Sequence, residues 1–252
     1  MKKSIRILLT ILIIIILAAA AVVLWQYENI SALLNGMTKS SEDIAWEINK
    51  KRDDLKIKVD MYADSSINDL TAEDERKLLR GEISLEEIAE KYNLPIEYMN
   101  DEYMNDEYMN DENHISTTGE DAGTKPASNE TAAGDLKKIE KEIGDGVSRM
   151  YALKAKYVNK LGELEREVID QYSKLPAEKQ NKEAKKKLIM DNVDYVAKLE
   201  KTCDSEVDKV ISSLEKNIKE LGGELEIIQI LKDAYTDEKE LKKSYYFSLY
   251  NN

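Results

Sequence analysis

The chain has 252 residues and a formal net charge of −13; 35% of its residues are charged, ten are Gly and three are Pro, which is typical of long helices. A single His and a single Cys exclude a Cys/His zinc site, a disulfide within the chain, and any Cys-His catalytic pair other than one that uses His114. The acidic balance argues against a nucleic-acid binder, because affinity for phosphate depends on clustered Lys and Arg.

An apolar segment of membrane-spanning length lies near the N-terminus. Residues 7–25 contain Thr10 as their only polar side chain, and as a helix they extend about 28 Å at about 1.5 Å per residue. Three basic residues precede the segment and the next one is Lys39, so the positive-inside rule predicts a cytoplasmic tip at residues 1–6. We therefore expect a signal anchor in the lipid bilayer of the cell membrane, with the rest of the chain outside.

A cleaved signal peptide is the alternative for the same segment, with Ala18, Ala19 and Ala20 as the cleavage region. The apolar run continues beyond these alanines to Trp25, which is longer than the usual h-region of about 7 to 15 residues. This length favours a retained anchor. If the segment is cleaved, the product is an exported soluble helical protein.

Residues 28–96 are predicted to form a helical stalk followed by a small helical hairpin. The apolar residues of the stalk fall mostly at helical spacings. We expect Trp46 to be half-buried on this stalk, because an amphipathic ring usually packs its apolar body.

Two helix starts follow the stalk. Thr71 with Asp74, and Ser84 with Glu87, have the spacing of an N-cap followed by an acidic residue at the third helical position. The predicted helix ends are Gly81 and Pro95.

The sequence GEISLEEIAEKYNLP at residues 81–95 resembles the opening half of bacterial helix-turn-helix domains. The resemblance implies a membrane-tethered regulator that binds DNA as a further alternative. However, an acidic repeat stands where the recognition helix should follow, and a DNA reader needs Lys and Arg there. We therefore predict a plain helical hairpin and no nucleic-acid partner.

Residues 97–134 are predicted to be a disordered acidic linker. The pentapeptide YMNDE occurs three times in residues 98–112, and its period of five fits neither a helix nor a strand. The linker carries ten acids against Lys125, so it repels itself. The repeated carboxylates leave calcium binding as an alternative, although the spacing is not that of an EF-hand loop. His114 is expected to be exposed and without a role.

Residues 135–252 are predicted to form an antiparallel helical hairpin or three-helix bundle with coiled-coil-like packing. Apolar stripes run through three helices, which are separated at Pro176 and at Gly222. The third helix is expected to break near Thr236 or Asp237. Polar residues interrupt the stripes at Lys154, Gln171, Glu200 and Asn217.

Two features of this domain are candidate sites. Cys203 lies in the apolar stripe, where it is either a small buried residue or the site of a disulfide between two chains. The aromatic residues of the C-terminal tail are either bundle packing or a contact patch for a partner, and they are Tyr245, Tyr246, Phe247 and Tyr250.

The tail LEIIQILKDAYTDEKELKKSYYFSLY at residues 225–250, with TCDSEVDKVISSLEKNIKELGG at 202–223 before it, resembles uncharacterised single-pass membrane-anchored helical proteins of Gram-positive bacteria. The similarity covers roughly the last 50 residues. It implies an exported, anchored protein and assigns no activity or site residue.

Taken together, the sequence predicts an all-α, non-catalytic protein with no cofactor and no metal site. It contains no Gly-rich phosphate loop, G-x-S-x-G elbow or H-E-x-x-H helix. We expect it to present an extracytoplasmic helical domain for protein interaction or envelope scaffolding. The partner is an unidentified protein, and a second copy of this chain is among the candidates.

Overall fold

The computed structural model describes residues 38–63, 67–100 and 130–251, and within these ranges the secondary structure is helical, with no strand. The all-α prediction is confirmed for this part of the chain. The helices in chain order are α1 (Ser41–Val59), α2 (Ala72–Arg80), α3 (Leu85–Tyr92), α4 (Glu130–Ser173), α5 (Lys182–Asp191), α6 (Val193–Glu220) and α7 (Glu226–Asn251). Two 3₁₀ turns follow α3 and α4, at Ile96–Met99 and Ala177–Lys179.

Several predictions concern residues outside the described ranges. These are the basic tip at 1–6, the apolar segment at 7–25, and the linker from residue 101 to 129 with most of its YMNDE repeats. Among the helices that the structure does describe, none combines the length and the apolar character needed to cross a membrane.

The chain divides into two compact units. Among the described residues, one unit combines those up to Leu55 with those from Ile230 onward, and the other consists of those between Lys56 and Gln229. In each unit, helices that are far apart in the sequence pack against one another.

In the first unit, α1 packs against α7. Ile44 and Ile48 of α1 form a buried cluster with Leu241 of α7. Farther along α1, the Nε and Nη2 atoms of Arg52 donate to Oε1 of Glu238 at 2.9 and 2.6 Å. Later positions of α1 thus meet earlier positions of α7, so the two segments run antiparallel.

In the second unit, α4 is the central helix and α6 packs along one side of it. Asn217 of α6 donates to Glu142 of α4 at 2.8 Å, while Lys156 farther along α4 donates to Glu206. The two helices therefore run antiparallel. Burying their apolar side chains stabilises this pairing by roughly 1.5 to 3 kcal/mol for each large residue. The buried apolar residues of the two helices include Ile143, Val147, Leu153, Val207, Val210, Leu214 and Ile218.

The small hairpin of α2 and α3 packs on α4 through polar anchors and a close backbone approach. Lys154 Nζ donates to both carboxylate oxygens of Asp69 at 2.8 and 2.6 Å, which explains why a lysine interrupts the apolar stripe of α4. Arg166 donates to the backbone carbonyl of Leu79. At Gly162 an added Cβ would overlap the backbone of Leu79, so the absence of a side chain allows α2 to lie against α4.

Both predicted helix starts of the hairpin are confirmed. The side chain of Thr71 accepts a hydrogen bond from the Asp74 backbone N–H at 3.2 Å, and this caps α2. Ser84 and Glu87 form a complete capping box at the start of α3, each side chain accepting from the backbone of the other.

The predicted end of α2 is also confirmed, but that of α3 needs a correction. Gly81 follows α2 with φ 71°, in the left-handed conformation that glycine adopts at little cost. After α3 it is Asn93, with φ 51°, that turns the chain, two residues before Pro95. Asn tolerates the left-handed region better than most residues, so it terminates the helix before the proline is reached.

The long helices differ from the prediction in three places. α4 begins at Glu130, five residues before the predicted boundary at 135. The added stretch contains Ala132 and Ala133, and alanine favours a helix. α7 runs unbroken through Thr236 and Asp237, since nothing in its sequence removes a backbone hydrogen bond. A junction at Asn192 instead separates α5 from α6.

Trp46 is 66% exposed rather than half-buried. It lies two residues from both Ile44 and Ile48, so it projects from a different face of α1. Lys50, one turn later, places its ammonium 5.4 Å from the centre of the Trp46 ring.

Candidate interaction surface

An exposed row of apolar side chains marks the N-terminal end of α6 and the end of α5. Met190, Val193 and Val196 are 60%, 46% and 39% exposed, and they are spaced three residues apart. This spacing places them in a continuous row along the helix surface. We call these three residues the apolar strip.

The apolar strip continues the buried face of α6. Val193 and Val196 lie 14 residues before Val207 and Val210, which are 3% and 2% exposed. Fourteen residues make about four helical turns, so each pair of valines shares a face. The same face is therefore covered in the middle of α6 and uncovered at its start.

The register of α4 and α6 shows which residues of α4 lie level with the strip. In the antiparallel pairing, positions beyond Lys156 on α4 lie level with positions before Glu206 on α6. Counted from that pair, Val168 lies level with about Val193, and Gln171 lies level with about Met190. Val168 is only partly buried, and Gln171 donates to Glu167 along α4 itself at 3.1 Å.

The junction between α5 and α6 lies at Asn192, between Met190 and Val193. Asn192 has φ −102° and ψ −2°, which differ by about 40° from ideal α-helical values. The backbone N–H of Val196 bonds to the Asn192 carbonyl at 3.1 Å, so α6 starts directly after the junction. Met190 is the exposed apolar residue at the end of α5.

A polar cluster in the small hairpin is centred on Asp74. The carboxylate of Asp74 is buried and accepts hydrogen bonds from Lys91 Nζ at 2.6 Å, from the Tyr92 hydroxyl, and from Thr71 Oγ1 at 2.9 Å. The bond from Lys91 and then that from Tyr92 lower the pKa of Asp74 from 3.8 to about 2. The charged form is thus strongly favoured, and it joins α2 to the end of α3.

A polar groove of about 520 Å³ lies between the start of α3 and α4. Its walls include the carboxylates of Glu82, Glu86, Glu87 and Glu163. In the described ranges, no three His, Cys, Asp or Glu side chains are arranged so that they could hold a metal ion.

The structure describes only part of the predicted aromatic patch. Tyr245 is partly buried and packs against the cluster of Ile44, Ile48 and Leu241 within the first unit. Tyr246, Phe247 and Tyr250 belong to α7, but their side chains are outside the described set. The patch as a partner contact therefore stays a prediction.

Cys203 is partly buried on α6. Leu199, one turn before it, and Val207, one turn after it, are both buried, so Cys203 lies within the covered part of the helix. Its predicted disulfide with a second chain stays a prediction.

The segment that resembles a helix-turn-helix opening does not continue as a recognition helix in the described residues. After α3 the chain forms only the 3₁₀ turn Ile96–Met99, and Met99 is buried. This turn packs on α4.

Comparison of the chain with protein-family models, with curated proteins and with solved structures found no match in any of the three. Arguments about function therefore depend on the sequence and on the geometry described above.

The apolar strip was not predicted from the sequence, where its residues were assigned to a covered stripe. The sequence did contain an indication of it. Gln171 interrupts the apolar stripe of α4 and Glu200 interrupts that of α6, both toward the end where α5 connects the two helices. Polar residues that interrupt both apolar stripes at one end of a hairpin indicate that the two helices pack less tightly at that end.

Proposed function

We propose that this chain is a non-catalytic, single-pass membrane protein that presents its helical domain outside the membrane for contact with another protein. The observation that carries the proposal is the apolar strip. Its three side chains lie on a face that is otherwise buried, and exposed apolar rows of this kind mark contact sites more often than isolated apolar residues do.

The sequence supports the membrane part of this proposal. Residues 7–25 have the length and composition of an anchor, and the basic residues before them favour an external position for the rest of the chain. Signal-peptide cleavage would give the same domain in released form. The apolar strip would be the contact surface for another protein in either form.

The charged groups of the domain support a role in binding rather than in chemistry. Asp74, Lys156 and Asp69 each bond to side chains of neighbouring elements, so they join helices to each other. None of these three lies in the groove beside α3.

Photo-crosslinking in cells tests the proposal. A photoreactive amino acid is placed at Val196 in the full chain, and a matched variant carries it at Leu136, which is 60% exposed near the start of α4, at the opposite end from the strip. We expect covalent protein adducts from position 196 and few or none from position 136. Equal labelling at both positions, or adducts at neither, would remove the strip as a contact surface.

A further inference from the structure

We draw no further inference here: the strongest candidate, the exposed apolar strip of Met190, Val193 and Val196 where α5 meets α6, is already the contact surface of the proposed function, and nothing in the structure shows what covers it.

Discussion

Lys156 of α4 donates to both carboxylate oxygens of Glu206 of α6, at 3.1 and 3.2 Å, and both side chains are almost completely buried. A buried ion pair adds little net stability, because removing both charges from water costs about as much as their attraction returns. Its clearest effect is on specificity, since a slip of α6 along α4 would leave two buried charges unpaired. The pair therefore opposes a slip of α6 along α4.

Replacing one partner of this ion pair should lower the free energy of unfolding strongly, whereas replacing both should change it little. We expect Lys156→Met or Glu206→Leu alone to lower the free energy of unfolding by about 3 to 5 kcal/mol, because each strands a buried charge. The double variant should be close to the parent in stability. Urea denaturation of the full chain in detergent, followed by circular dichroism, measures all three, and a double variant as unstable as the sum of the singles would contradict the interpretation.

Replacing Gly162 with even the smallest side chain should weaken the packing of the small hairpin on α4. We expect Gly162→Ala to displace the small hairpin from α4 and to cost about 2 kcal/mol or more, because the new Cβ overlaps the Leu79 backbone. Hydrogen exchange of peptides from residues 67–100 measures the displacement. Gly144→Ala is the control, since its Cβ meets only the end of the Ile67 side chain and alanine favours a helix by about 1 kcal/mol. Unchanged exchange in Gly162→Ala would argue against the close approach.

Acid should weaken the small hairpin through Asp74. Because the pKa of Asp74 is lowered from 3.8 to about 2 in the folded chain, its contribution to stability is complete above about pH 5 and is lost as the pH falls toward 2. We expect Asp74→Asn to destabilise the hairpin by about 1 to 2 kcal/mol at pH 7, with a smaller difference from the parent at pH 3. Urea titrations at the two pH values measure this, with the exposed Glu86→Gln as control. A difference that is independent of pH would contradict the role of Asp74.

The two ends of one α6 face should respond differently to the same substitution. Val207→Ala removes buried methyl groups and should cost about 2 kcal/mol. Val193→Ala, 14 residues earlier on that face, should change stability by less than about 0.5 kcal/mol, because the valine is exposed. Thermal denaturation of both variants gives the comparison. Equal losses would show that Val193 is covered within the chain.

Local signals predicted the local structure well. The caps at Thr71 and Ser84 and the turn at Gly81 follow from side chains that bond backbone groups only a few residues away. Asn93 was missed as a helix end because the nearby Pro95 gave the stronger sequence signal. The continuous α7 was missed because a weakened apolar pattern does not by itself interrupt a helix.

The interaction surface could not be predicted in the same way. Pairing of Lys156 with Glu206 depends on the register of two helices that are far apart in sequence, and periodicity does not contain this information. The exposure of Val193 depends on which residues of α4 lie opposite it. Sequence analysis identified Gln171 as out of pattern, but only the register shows that it lies level with the strip.

The most direct test of the account asks whether the helical domain is outside an intact membrane. In a Cys203→Ser background, Ser212→Cys places a thiol at an exposed position of α6, and Ser4→Cys places one in the basic tip. An impermeant thiol reagent is added to intact cells, and the membrane fraction is analysed. We predict that Ser212→Cys is labelled in intact cells and Ser4→Cys only after lysis, whereas protection of Ser212→Cys until lysis would contradict the account.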